Sequence, residues 1–220
     1  MPGIIMADRP SNAIKGITSV NFYSAESEYT INANFPQLSS FNVNATDVAF
    51  NINCITSGSV RYEGAATANA HRKIRILDLH GAKLYLGSSS GSGYSLRYHS
   101  VLTTVNAKCR VDTTNTSNQF NGAIALANID WIENAQTVAL NMSPCPLTES
   151  SLVNVANGLK GGEAKTLTLS STRKTMCDSI MGTVSSVTVG ENTYDFFTAD
   201  PNGTVTLTEF ITITKGWTLA

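Results

Sequence analysis

At 220 residues and 42% hydrophobic, the chain can fill the core of one domain or of a domain with a small appendage. Charged residues make up only 14% and the net charge is −1, against roughly a quarter charged in ordinary soluble proteins. With no basic run and no basic–aromatic interleaving, nucleic-acid binding lacks its electrostatic footprint, and no apolar stretch reaches the ~18 residues of a bilayer span.

The first sixteen residues, "MPGIIMADRPSNAIKG", have no basic n-region and one short apolar run, so they do not read as a secretory signal. The expectation is a protein made and kept in a cytoplasm. Ile4, Ile5 and Met6 are read as an arm, residues 1–16, that orders against a partner subunit.

From residue 17 one pattern recurs, with apolar residues at positions 1, 4 and 6 of a six-residue window. It appears as Ile17-Val20-Phe22, Leu38-Phe41-Val43, Ile74-Leu77-Leu79, Leu102-Val105-Ala107, Leu126-Ile129-Trp131 and Val184-Val187-Val189. Weaker copies are Ala135-Val138-Leu140 and Ala164-Leu167-Leu169. This is the strand signature of a leucine-rich repeat, in which the first residue tops up the core from a bend and the others point inward from a short strand. The steps are unequal. The widest, between Leu38 and Ile74, has room for a degenerate coil around "SGSVRYEG", while the step from Leu126 to Ala135 is too short for a full one. The pattern predicts one stacked parallel sheet carrying Phe22, Val43, Leu77, Leu79, Val105, Leu126, Leu140, Leu167 and Leu169.

"GSSSGSGYS" (87–95) is a surface loop: it lacks the Lys-Ser/Thr and following helix of a phosphate loop. Between residues 147 and 171, "LTESSLVNVANGLKGGEAKTLTLSS" predicts a helix and then a strand. Thr148 is the N-cap, Leu152, Val155, Ala156 and Leu159 form one stripe, and Gly161 and Gly162 are the stop. The helix is expected to form the back of one repeat. After Gly190, "NTYDFFTADPNGTVTLTEF" predicts two strands around a turn at Asp200–Gly203. Asp200 and Asn202 lack the later acidic ligand of a calcium loop.

Cys54, Cys109, Cys145 and Cys177 are far apart and form no C-x-x-C pair, so they read as reduced, buried small hydrophobes and not as zinc ligands. The histidines are His71, His80 and His99. Asp78 and His80 share a strand face and Ser89 and Ser90 lie in a nearby loop, but no nucleophile-elbow motif accompanies them, so they read as surface residues. No paired carboxylates, metal ligands or cofactor motif stand out, and the expectation is a non-enzymatic protein without cofactor or metal.

The stretch "ALNMSPCPLTESSLVNVANGL", the strand "KTLTLSS" and the ending "TKGWTLA" resemble the C-terminal part of BspA-type leucine-rich-repeat proteins. These occur on bacterial surfaces and in virion proteins of tailed phages, including crAss-like phages of gut bacteria. The matching positions are Cys145, Leu147, Thr148, Glu149, Ser151, Leu152, Asn154, Leu159, Lys165 to Leu169 and Lys215 to Ala220. Between Ser171 and Lys215 the family has a compact helical hairpin, and here the segment is longer. The resemblance implies a mainly β fold with few short helices: a leucine-rich-repeat-like solenoid over residues 17–182 and a C-terminal cap over 183–220 ending in the repeat strand "KGWTLA". The longer segment departs from the family and is read as strand-rich, with an inserted strand pair. The resemblance also implies a structural or adhesive virion component (head fibre, tail fibre or decoration protein) assembled in the host cytoplasm beside other virion proteins, with three copies favoured and a host-surface receptor as a further partner. A bacterial cell-surface adhesin is the alternative. Tyr194, Phe196 and Phe197 on the inserted strands are expected to form an interface, and Trp217 and Leu219 to cap the stack.

Overall fold

The apolar windows fold as short parallel strands. Eight form one sheet: β1 (Ser19–Phe22), β2 (Thr30–Asn34), β3 (Ser40–Val43), β4 (Phe50–Ile55), β5 (Ser59–Tyr62), β6 (Ile74–Leu86), β7 (Thr104–Val111) and β8 (Asn128–Trp131). The computed structural model describes residues 13–22, 30–43, 50–56, 59–62, 74–87, 96–112 and 119–220. Ile4, Ile5, Met6, His71, Ser89 and Ser90 lie outside the described residues, as do the side chains of Phe22 and Val43.

From β2 onward each described coil of this sheet carries two strand segments, so two ladders run side by side. One is β2-β4-β6 and the other is β1-β3-β5-β6, with the long β6 serving both. This resolves the wide step in the sequence: Leu38 introduces a strand of one ladder and Ile74 opens a strand of the other. "SVRY" is the intervening strand β5. The corner between ladders shrinks along the stack. β6 spends Leu79 to Ala82 on it, with His80 and Gly81 at positive φ; β7 spends only Ala107, and β8 turns it between Ile129 and Asp130. Successive coils are linked by side-chain bonds between residues 21 apart (Asn53–Asn32), 28 apart (Asn106–Asp78) and 24 apart (Asn128–Thr104).

The core is the stack of inward positions. Ile52, Leu77, Val105 and Ile129 align in one ladder, and Val60, Leu84, Cys109 and Trp131 in the other, all at most 3% exposed. Leu38, Leu102 and Leu126 are buried from the bends, each donating its N–H to the carbonyl three residues earlier. Phe41 and Tyr62 stack at 4.8 Å, and Tyr62 Oη lies 2.8 Å from Nε2 of buried His99. The four cysteines are free and buried, and burial pushes the thiols of Cys54, Cys145 and Cys177 up to about 11, 12 and 12.

Beyond β8 the chain forms β9 (Leu140–Asn141), α1 (Glu149–Gly158), β10 (Thr166–Thr168), α2 (Ser171–Ser179), β11 (Met181–Val189), β12 (Asn192–Ala199), β13 (Val205–Thr206), α3 (Leu207–Glu209), a π-helical turn (Phe210–Thr214) and β14 (Thr218–Leu219). Thr148 caps α1, as expected, and the stripe Leu152, Val155, Ala156 and Leu159 is buried. α1 connects the parallel strands β9 and β10. It lies along β8, where a further strand would stack: Thr148 N–H donates to Ala127 O, and Ile129 N–H donates to Ser151 Oγ at 3.0 Å. It ends at Gly158, before Gly161 and Gly162. Gln136 closes the other half of that sheet. Its amide accepts from Val111 N–H (3.0 Å) and Trp131 Nε1–H (3.3 Å) and donates to Val111 O (3.2 Å) and Val138 O (2.8 Å). Side chains here satisfy the strand edge that a next coil would otherwise cover.

The expectation of one sheet is therefore corrected. Leu140 and Leu167 are buried on parallel strands, but of a separate sheet ordered β14-β10-β9, and Leu169 is buried just after it. "TKGWTLA" closes that stack through β14. Trp217 is buried with Nε1–H donating to Lys160 O at 2.8 Å, and Leu219 packs against the core. The window Val184-Val187-Val189 is a false match. It sits on the antiparallel strand β11, with Val187 and Val189 exposed, because alternation alone produces the same spacing on a hairpin. The described residues form a mainly β solenoid of stacked strands with three short helices and an inserted strand pair.

Candidate interaction surface

The inserted hairpin pairs β11 with β12, from Gly182↔Ala199 to Val189↔Asn192, around Gly190 and Glu191. Gly190 has φ 62, the left-handed conformation that a two-residue hairpin loop requires. The turn at Asp200–Gly203 forms as expected, with Gly203 N–H donating to Asp200 O at 2.9 Å, but it is not the tip of the hairpin. It leads from β12 into β13, which pairs with β11 at Met181 and Gly182. "LTEF" after Thr206 is helical and not a strand, because Thr206, the last residue of β13, and Glu209 form a reciprocal capping box. That T-x-x-E spacing was a legible signal.

The pairing divides the hairpin into two faces. Val184, Ser186, Asp195 and Phe197 share one. Phe197 is 2% exposed, 5.5 Å from the Phe210 ring, so it belongs to the core and is not part of an exposed interface. Val187 and Val189 share the other face with Tyr194 and Phe196. Val187 is 51% and Val189 62% exposed, while Tyr194 and Phe196 are half-buried. The sequence singled out the two aromatics and missed the two valines, which their repeat-like spacing disguised.

The base of the hairpin is clamped. Asn157 pairs with both backbone groups of Phe197, Lys215 Nζ donates to Asp195 O at 2.7 Å, and Gly182 and Gly203 meet too closely for any side chain. Toward the tip, only Glu191 and Asp195 are charged. β13 covers just the first two residues of β11, and the rest of that edge carries neither lysine nor proline, the usual guards of an open edge. An uncharged edge beside an apolar face suits association, because its centre desolvates without stranding charge.

A second surface runs across the coils. Asp78, Thr104, Asn106, Asn128, Asp130 and Ser150 line a shallow groove of about 380 Å³. Asp78 Oδ1 accepts from His80 N–H (2.8 Å) and Asn106 Nδ2–H (2.8 Å), and His80 Nε2 lies 2.6 Å from Asn53 Oδ1. Asp78 thus holds the backbone of His80 and not its ring, and the left-handed turn at His80 takes it off the regular strand face. Asp200 Oδ1 accepts from Asn202 N–H at 2.9 Å, a turn bond. Among the described residues no three His, Cys, Asp or Glu side chains are placed to hold a metal, and no helix is long and apolar enough to cross a membrane.

The fold and its projecting hairpin define a β-solenoid with a strand-pair appendage. No protein-family model, curated protein or solved structure gives a significant match to the chain.

Proposed function

We propose that the protein is a non-enzymatic structural or adhesive component of a tailed-bacteriophage particle (a head fibre, tail fibre or decoration protein), assembled as a homo-oligomer beside other virion proteins. The observation that carries this reading is the hairpin: a clamped base with an uncharged free edge, and Val187, Val189, Tyr194 and Phe196 on one outward face. The motifs around Cys145, Thr148 and Lys215 to Ala220 supply the resemblance to virion and bacterial-surface modules, and three copies is the number that resemblance favours. The polar groove, lined by amides, carboxylates and hydroxyls, suits a hydroxyl-rich host-surface receptor. A bacterial surface adhesin shares the repeat and is the alternative.

Two measurements test the proposal. A mass-spectrometric protein inventory of purified particles is expected to contain the chain in multiple copies, and recovery only from bacterial envelopes would transfer it to the alternative. Light scattering of the purified chain at micromolar concentration is expected to show an oligomer. A monomer that stays monomeric with its particle neighbours present would overturn the assembly role.

A further inference from the structure

Lys215 is fully buried. Its Nζ donates to Asn134 Oδ1 and to Asp195 O, and lies 5.2 Å from the centre of the Phe210 ring. Asn134 sits in a left-handed turn (φ 49) after β8, and its own Nδ2 is buried with no hydrogen-bond partner among the described residues. A buried amide group without a partner is unfavourable, and a purely structural contact gives no reason to keep one. The arrangement sets an amine against the carbonyl side of a carboxamide whose amino group no described residue holds in place.

Burial lowers the Lys215 ammonium to about 8, while the nearby Asp195 carboxylate acts in the opposite direction. Near neutral pH a usable fraction of the side chain is therefore the free amine, the nucleophilic form. The apolar ring and the exclusion of water favour attack by that amine over hydrolysis.

We propose that Lys215 and Asn134 join in an intramolecular isopeptide bond. The Nζ lone pair attacks Cγ of Asn134, the Cγ–Nδ2 bond breaks, and Nδ2 leaves as ammonia with a proton given up by Nζ. Asp195 holds Nζ in place through its backbone carbonyl. The exchange is redox-neutral and needs no co-reactant. Its product is a secondary amide, so the buried charge and the unpartnered Nδ2 both disappear. The bond closes a loop between residues 81 apart, which spans α1, β10, α2 and the hairpin. It staples the cap to the solenoid whatever the particle the protein serves.

The test is the intact mass of the full-length chain, folded and held at pH 8. The expected mass is one ammonia below the sequence mass, with tandem spectra of a digest showing a branched peptide that joins positions 134 and 215. The same chain kept in denaturant from synthesis, K215R and N134A are each expected at their full sequence masses. On refolding, the rate of ammonia loss should rise with pH through about 8 as the amine loses its proton. A folded wild-type chain that keeps its full mass after prolonged incubation, or that loses ammonia at another site, overturns the bond.

Discussion

Asn157 holds Phe197 as a neighbouring strand would. Its Nδ2–H donates to Phe197 O at 2.9 Å and its Oδ1 accepts from Phe197 N–H at 2.7 Å. One side chain at the end of α1 thereby docks β12 on the solenoid, in line with the buried contact of Phe197 with Phe210. Replacing Asn157 with Ala leaves two partly buried backbone groups unpaired and should cost about 1–3 kcal/mol. Urea titration measures the loss, and hydrogen exchange should place it in β12. Unchanged protection of Phe197 would mean the clamp is dispensable.

Gly158 should not tolerate alanine. In an open helix that substitution is favourable by about 0.4–1 kcal/mol. Here the added Cβ would lie 2.0 Å from Trp131 Cδ1, a residue locked in the core. Overpacking should reverse the sign to a loss of about 1–3 kcal/mol, read from thermal or denaturant unfolding.

Gln136 is the polar group whose loss should be felt most widely. Gln136→Leu keeps the bulk but strips partners from both backbone groups of Val111 and from the Trp131 indole. A loss on the order of 3 kcal/mol or more is expected, since each buried group left unsatisfied costs about 1–3 kcal/mol. A near-neutral result would show that water or a neighbouring coil takes over the edge.

Glu209 gives the C-terminal helix an acid dependence. Its hydrogen bonds with Thr206 N–H and Oγ1–H lower its pKa in the folded state. A carboxylate with a depressed folded pKa contributes stability that is present above its unfolded pKa and lost as pH falls through the folded value. Stability should therefore decline on acidification through the carboxylate range. Glu209→Gln, which keeps an acceptor but not the charge, should show a flatter decline when the two pH profiles are compared.

The hairpin face should govern association without governing folding. Val187 and Val189 are more than half exposed, so V187K/V189K should unfold close to the parent. It should nevertheless shift the sedimentation profile toward monomer, because two buried, unpaired charges would oppose the contact. An unchanged oligomer would move the interface elsewhere.

Much of the fold was legible because burial on a short strand imposes a period of two. Leu77, Val105, Ile129 and Leu167 announced themselves through their spacing, and Thr148 announced a helix start through its hydroxyl and the stripe behind it. Sequence by itself determined that the chain is a stack of short strands with one amphipathic helix near its end. What it left open depends on partners distant in the chain. Two parallel ladders produce the same local pattern as one, so only the pairing of β6 with both β4 and β5 separates them. Val187 and Val189 repeat the core spacing, yet their neighbour is a hairpin strand and their other face is solvent. Gln136 and Asn157 look like ordinary surface amides until tertiary structure brings Val111 and Phe197 to them. The meeting of Lys215 with Asn134 was likewise decided only by the tertiary structure, because chemistry between side chains 81 residues apart has no local signature.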